Sequence, residues 1–285
     1  MLSAFGAEAA IRDTLAEASD ALGYDLAAMI ADGPAELLNQ TVNTQPAMLT
    51  AGVAVYRLWQ SRGGPAPAIM AGHSLGEYTA LVCAGALNFA DAVRLVRLRA
   101  EAMQSAVPEG VGAMAAVLGL DDDAVRAVCA EAAQGEVLEA VNFNSPGQVV
   151  IAGNKAAVDR GCALAKEKGA KRALPLPVSV PSHCALMQPA ADKLRTAMAS
   201  IDVKTPAIPV LHNADVSSHA DPAAIRDALA RQLYSPVRWV ETVQTFAAQG
   251  IQLVAECGPG KVLAGLNKRI VDGMPGVALV DPAAL

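Results

Sequence analysis

The sequence predicts an α/β protein, a parallel-sheet body interrupted by a smaller α+β unit. Three observations carry this. Short apolar runs alternate with amphipathic helical stretches through most of the chain, as strands and helices taken in turn do. One run, "APAIMAG", leads directly into "HSLGEYTALVCAG", the pattern of a strand turning sharply into a helix. From about residue 112 to 180 the order becomes strand, helix, strand, strand, helix, strand, the ferredoxin-like split motif.

The elements follow in order. From Leu2 to Arg62 the pattern is helical. "AEAAIRDTLAEASDALG" ends on Gly23, a glycine suited to the left-handed stop after a helix. "TQPAMLTAGVAVYRLWQSRGG" is a long apolar helix with Pro46 expected near its first turn and Gly63-Gly64 at its close. "APAIMAG" is expected to be a short buried strand. "ADAVRLVRLRAEAMQSAV" is a helix that Pro108 stops.

The inserted unit then reads strand "GAMAAVLG", helix "DDDAVRAVCAEAAQ", strand "VLEAVNFN", turn "NSPG", strand "QVVIAG", helix "NKAAVDRGCALAKEKG" and strand "KRALPLPVSV". A helix follows from about Cys184, then a strand near "IPVLHNA" and helices "DPAAIRDALARQLY" and "VRWVETVQTFAAQG". Strand "IQLVAECG", helix "KVLAGLNKRI" and strand "GVALVD" complete the chain. The expected division is a body of residues 1–110 and 181–285 with the unit 111–180 inserted.

Composition narrows the function. Of 285 residues, 53% are hydrophobic and 18% charged, so the chain buries a substantial core and is not disordered. Aromatics are only 4%, which leaves the core to Ala, Val and Leu. A net charge of −6 without long runs of either sign argues against nucleic acid as a partner. No apolar segment is long enough for a membrane helix, and no secretory signal is seen at the start. The cysteines Cys83, Cys129, Cys162, Cys184 and Cys257 are scattered without any C-x-x-C pair. Reduced thiols in a cytoplasmic protein are therefore expected, not a disulfide framework. His212 and His219 have no partner cysteine nearby, so no metal site is expected. "CGPGKV" lacks the first glycine and the Ser/Thr of a phosphate loop.

Ser74 is the candidate nucleophile. Gly72-x-Ser74-x-Gly76 matches the nucleophile elbow of hydrolase-like α/β bodies. Flanking glycines let strand and helix approach, and the helix N-terminus offers unpaired N–H groups to an oxyanion, that of Leu75 first. The plain alternative is that Ser74 only caps the helix. His183, in "VPSHCALM" between a strand and a helix, is the candidate base, with a helix-capping or solvent-facing histidine as the alternative. No carboxylate stands out as its orienting partner. Arg99 has Leu95, Val96, Ala102 and Met103 on its own helical face, so it is expected to be buried. A buried guanidinium needs an anion, from either a protein or a ligand carboxylate.

"GHSLGEYTALVCAGAL" resembles the active-site segment of malonyl-CoA:acyl carrier protein transacylases and of the acyltransferase domains of fatty acid and polyketide synthases. Glu77 follows the second glycine, as in that family. "TQPAMLTAGVAVYRLWQ", "RLRAEAMQ", "GAMAAVLG", "VNFNSPGQVVIAG", "PSHCALM", "YSPVRW" and "ECGPGKVLAGLNKRI" are similar to it in the same order, over nearly the whole chain. The resemblance implies a hydrolase-like body and malonyl transfer from malonyl-CoA to the thiol of acyl carrier protein, in fatty acid biosynthesis. It implies Ser74 as nucleophile, His183 as base and Arg99 as the binder of the malonyl carboxylate. The backbone carbonyl of Gln232 would orient His183, so that side-chain changes at Gln232 matter less than changes that move its backbone. Asn142 and Asn144 resemble residues lining the cleft, with turn formation as the alternative. No bound cofactor is implied; the coenzyme A thioester is a substrate.

A basic surface suits an acidic carrier protein. Lys171 and Arg172, with Lys166 and Lys168, form the local candidate, a solvated helix end being the equal alternative. A monomer is expected. The resemblance departs at the start, where the family's short strand and Gly-Gln-Gly-Ser-Gln type loop find no counterpart. One strand of the core sheet and one oxyanion donor are thus expected to be missing, with weak activity as the result. The rival readings are a serine esterase or thioesterase, and a silent scaffold that binds carrier protein.

Overall fold

In the computed structural model, which describes residues 2–6, 8–178 and 180–285, the N-terminal region is helical. Helix α1 (Ala9–Leu22) ends at Gly23, whose φ of 74° lies in the left-handed region. Helix α2 (Leu26–Asp32) starts from Asp25, which accepts the Ala28 N–H, and the short α3 (Ala35–Leu38) follows. Helix α4 (Thr41–Ser61) starts well ahead of Pro46, so this proline lies inside the helix and not at its first turn. Packing explains the difference: Ala47, Leu49, Ala51, Val53 and Val55 along α4 are buried, and burial of a whole helix outweighs one lost backbone bond.

Strand β1 (Met70–Ala71) is shorter and less buried than its apolar run suggests. It is followed by α5 (Gly76–Cys83) and α6 (Phe89–Ala106), the latter started by Asn88, whose side chain accepts the Asp91 N–H. The inserted unit contains β2 (Gly112–Leu118), α7 (Asp122–Ala133), β3 (Leu138–Ser145), β4 (Gln148–Asn154), α8 (Lys155–Glu167) and β5 (Arg172–Pro175). Its antiparallel sheet has the order β3-β4-β2-β5, the ferredoxin-like arrangement. Strand β5 stops at Pro175, short of the expected run to residue 180, because Pro175 and Pro177 carry no N–H for a ladder; Ser179, in that run, lies outside the described residues. Val117, Val125, Val149, Ile151 and Val158 give the unit a core of its own.

The chain returns to the body through α9 (Gln188–Met198), β6 (Val210–Leu211), α10 (Pro222–Gln232), α11 (Trp239–Ala248), β7 (Val254–Cys257), α12 (Val262–Ile270) and β8 (Gly276–Leu279). Strands β1 and β6 pair in parallel, as do β7 and β8. Among the described residues these form two separate two-stranded sheets. The main apolar core packs α6, α9 and α10 together through Val93, Val96, Leu194, Met198, Ile225 and Leu229. No helix is long and apolar enough to cross a membrane, among the described residues. A cavity of about 1540 Å³ reaches from β1 to β7 and is also lined by Ser74, Arg99 and Asn144.

Candidate active site

Residues 72–75 turn the chain from β1 into α5. Ser74 sits at the tip with φ of 50°, a left-handed conformation that costs a non-glycine residue about 1–3 kcal/mol. The turn closes because Gly72 has no side chain: a Cβ there would lie 1.9 Å from the carbonyl carbon of Gly76. A Cβ on Gly76 would meet nothing within 4 Å. Steric need therefore falls on the first glycine of the motif, not on both. Leu75 immediately precedes α5, so its N–H lies where a helix start leaves donors without intrahelical acceptors.

The Ser74 hydroxyl is 2.8 Å from His183 Nε2. His183 Nδ1 is 2.7 Å from the backbone carbonyl of Gln232. A carbonyl only accepts, so Nδ1 carries the proton and the Nε2 lone pair faces Ser74. Gln232 is the last residue of α10, and the final carbonyls of a helix lack intrahelical donors. The helix end thus supplies an acceptor where a carboxylate would otherwise be needed. The next carbonyl, of Leu233, accepts the His183 N–H at 3.0 Å. His183 is 2% exposed. Burial, and then the positive charge of Arg99, hold its imidazole down at about 3, against the opposing hydrogen bond to Gln232.

Arg99 is 1% exposed, as its helical face requires. One Nη donates to Gln45 Oε1 at 2.8 Å, the other to Gln232 Oε1 at 3.0 Å and to Ser74 Oγ at 3.2 Å. Its Nε has no partner, and no ion pair to Arg99 is found among the described residues. Its hydrogen-bond partners beyond Ser74 are neutral amides, and the guanidinium also lies 5.5 Å from the centre of the Tyr78 ring. Of the two anions the sequence left open, no protein carboxylate forms an ion pair with Arg99 among the described residues, although the charge of Glu77 acts on it without contact. The buried Glu77 is engaged elsewhere: it accepts from His212 Nδ1 at 2.7 Å, the Asn213 N–H at 2.9 Å and Gln232 Nε2 at 2.8 Å.

The two asparagines of β3 part company. Asn144 lines the cavity, and its Oδ1 is 2.8 Å from His73 Nε2. Asn142 is 6% exposed and bridges to Val237 through its backbone. Both are strand residues, with the turn falling after Ser145. Lys171 and Arg172 are not brought to the site. They pair beside Leu118, at the other end of β2 from Gly112, which abuts Pro181 near His183. Six residue steps along the strand separate those ends, roughly 20 Å. Lys168 is paired with Glu131 at 3.3 Å.

Sequence reasoning missed Gln45, His212 and Asn213. Gln45 was legible as an amide beside Val42, Met48 and Leu49 on a largely apolar helical face. "HN" directly after the run "IPVL" was the available signal for the others: two polar residues at the end of a strand that pairs with β1. Among the described residues no group of His, Cys, Asp and Glu is placed to hold a metal ion.

Residues 3–280 match the acyl transferase domain family. A malonyl CoA-acyl carrier protein transacylase of Salmonella typhimurium is 62% identical over 275 residues, 96% of this chain and 89% of that protein. A solved acyl-carrier-protein S-malonyltransferase of Burkholderia pseudomallei superposes with a TM-score of 0.98 at 64% identity, over 99% of this chain and 92% of that one. A malonyl-transacylase solved in complex with its type II PKS acyl-carrier protein does so with a TM-score of 0.98 at 55% identity, over 100% of this chain and 92% of that one. With the match running nearly end to end, and with relatives this similar at both sequence and backbone level, the chain belongs to the acyl transferase domain family.

Proposed function

We propose that this protein moves a malonyl group from malonyl-CoA to the phosphopantetheine thiol of acyl carrier protein, through a malonyl ester of Ser74. The observation that carries this reading is Arg99: a buried guanidinium in contact with the nucleophile and with no ion pair to a carboxylate among the described residues. A malonyl carboxylate satisfies it; an acetyl group leaves it without an anion. The names of the relatives point to the same acyl group and the same acceptor.

In the first half-reaction His183 Nε2 takes the Ser74 proton as Oγ attacks the thioester carbon. The Leu75 N–H faces the oxyanion. Collapse breaks the carbon–sulfur bond, and the imidazolium returns the proton to the departing coenzyme A sulfur. In the second half the carrier thiol gives its proton to His183, its sulfur attacks the malonyl ester, and Ser74 leaves with the proton restored. The acyl carbon passes between thiols with no redox change, so the chemistry asks for no bound cofactor. Asn144 borders the cleft while Asn142 is buried in the same strand, and Lys171 and Arg172, at the far end of β2, receive the acidic carrier. The body is 1–110 and 181–285 with 111–180 inserted, acting as a cytoplasmic monomer in fatty acid biosynthesis.

Mass spectrometry after mixing with malonyl-CoA tests this. A malonyl adduct on Ser74 that persists in water and leaves on addition of carrier protein is the expected result. Rapid hydrolysis without a thiol would make the protein an esterase or thioesterase. No adduct would overturn the reading.

A further inference from the structure

The left-handed backbone of Ser74 needs something to hold it, and the turn's own bonds, from the Gly76 N–H to the His73 carbonyl at 2.9 Å and from the Glu77 N–H to the Ser74 carbonyl at 3.1 Å, leave the Ser74 N–H and the Gly72 carbonyl to be held by other residues. We infer that Asn213 is the positioning residue for Ser74, its side-chain amide clamping the two peptide groups on either side of His73 so that the hydroxyl stays aimed at His183. The proposal rests on Ser74 being the acylated residue. It adds a residue outside the nucleophile, the base and the carboxylate binder.

The geometry is specific to an asparagine. Asn213 Oδ1 accepts the Ser74 N–H at 2.7 Å, and Asn213 Nδ2 donates to the Gly72 carbonyl at 2.7 Å. One side chain thus presents an acceptor and a donor at once, each to the partner of matching sense. The placement follows from topology. β6 pairs with β1 in the register Met70 to Val210 and Ala71 to Leu211, so the residues just past β6 emerge beside the elbow.

Asn213 is itself fixed. It is fully buried, and its N–H donates to Glu77 Oε2 at 2.9 Å. Glu77, on the first turn of α5, also accepts from His212 Nδ1 and from Gln232 Nε2. The Gln232 amide returns to the elbow, donating to the Ser74 carbonyl at 2.9 Å. The serine is thereby held at its N–H by Asn213 and at its C=O by Gln232 together with the Glu77 N–H, with the Glu77 carboxylate anchoring both side-chain clamps. A shift of the hydroxyl of about 1 Å costs on the order of 100-fold in rate.

Two variants and a probe independent of malonyl-CoA test this: the rate at which a fluorophosphonate labels Ser74. Asn213→Ala should slow labelling about 100-fold and lower kcat for malonyl transfer, with KM for malonyl-CoA little changed. Asn213→Asp keeps the shape. As a carboxylate it offers acceptors only, and one then faces the Gly72 carbonyl. As a carboxylic acid it again offers one donor and one acceptor. Its labelling rate relative to the natural protein should therefore rise as pH falls, while the Asn213→Ala ratio stays flat. Glu77, His212, His73, His183 and Arg99 surround the turn in all three proteins, so their titration largely divides out. Equal labelling in all three, or an Asn213→Asp ratio independent of pH, overturns the inference, whatever the melting temperatures. Failure of the natural protein itself to label at Ser74 would instead overturn the reading of Ser74 as nucleophile.

Discussion

The guanidinium of Arg99 lies 3.2 Å from the hydroxyl of Ser74, deep enough to be 1% exposed and with no ion pair among the described residues. Desolvating a cation without an anion is costly. Neutral amides of Gln45 and Gln232 hold it, and its Nε is left over. Removing it should cost the charged acyl group more than the neutral one. Arg99→Ala is expected to lower malonyl transfer about 10- to 100-fold, the worth of a charge-assisted hydrogen bond, and to raise the ratio of acetyl to malonyl transfer. Arg99→Lys should not restore the natural ratio, because an ammonium cannot grip a carboxylate with two parallel bonds. An unchanged malonyl preference in a kinetic comparison of these variants would sink the assignment.

The same arginine acts on the base. Burial first and Arg99 second hold His183 at about 3, so in the free protein the imidazole stays neutral well into acid. A bound malonyl carboxylate cancels the charge of Arg99 and removes the second cause. The His183 pKa then rises in the complex, and protonation disables the base at a higher pH. The acid limb of kcat, which reports the complex, should therefore lie at higher pH than that of kcat/KM, which reports the free protein. The carboxyl group of malonyl-CoA titrates in the same range, so the comparison is with Arg99→Ala, in which the separation should shrink. Separation of equal size in both proteins would refute the coupling.

Gln232 does more than offer its backbone. Its side chain donates to the Ser74 carbonyl and to Glu77 and accepts from Arg99. Gln232→Ala retains the carbonyl that orients His183 but leaves buried polar atoms on Arg99 and Glu77 short of partners. A loss of about 1–3 kcal/mol in stability is expected, together with a fall in malonyl transfer that stops short of the level of Ser74→Ala. Urea unfolding and steady-state kinetics read the two effects separately. Wild-type values in both would show that the side chain is dispensable, which goes beyond the lesser role that the resemblance to the family implied.

Much of the site was legible because each residue carried a local signal. Ser74 stands between glycines at a strand-to-helix join, Arg99 interrupts an apolar helical face, and the alternation of strands and helices gave the inserted unit its order. What was not legible depends on pairing between distant segments. Nothing near residue 213 in the chain says that β6 lies beside β1, so neither the clamp from Asn213 nor the destination of the Glu77 carboxylate could be read locally. Pro46 misled for the reason that burial of α4 on all sides outweighs a local helix-start preference. The short β5 ends where Pro175 and Pro177 withhold the N–H groups that a longer ladder needs.

The two glycines of the elbow look equivalent in sequence and are not equivalent in the fold. A Cβ on Gly72 would sit 1.9 Å from the Gly76 carbonyl carbon and 2.0 Å from its oxygen, backbone atoms that cannot swing aside. A Cβ on Gly76 meets nothing within 4 Å, and the residue opens α5, where alanine is the better helix former by about 1 kcal/mol. Gly72→Ala is therefore expected to force strand and helix apart, lower the melting temperature and abolish labelling of Ser74. Gly76→Ala should fold with a melting temperature at or slightly above that of the natural protein. Because Gly76 lines the cavity, any loss of activity in that variant should appear as a changed KM for the acyl donor, with Ser74 still reactive towards a small fluorophosphonate. Thermal unfolding of the two variants side by side decides it, and equal destabilisation would show that the second glycine is also held by packing.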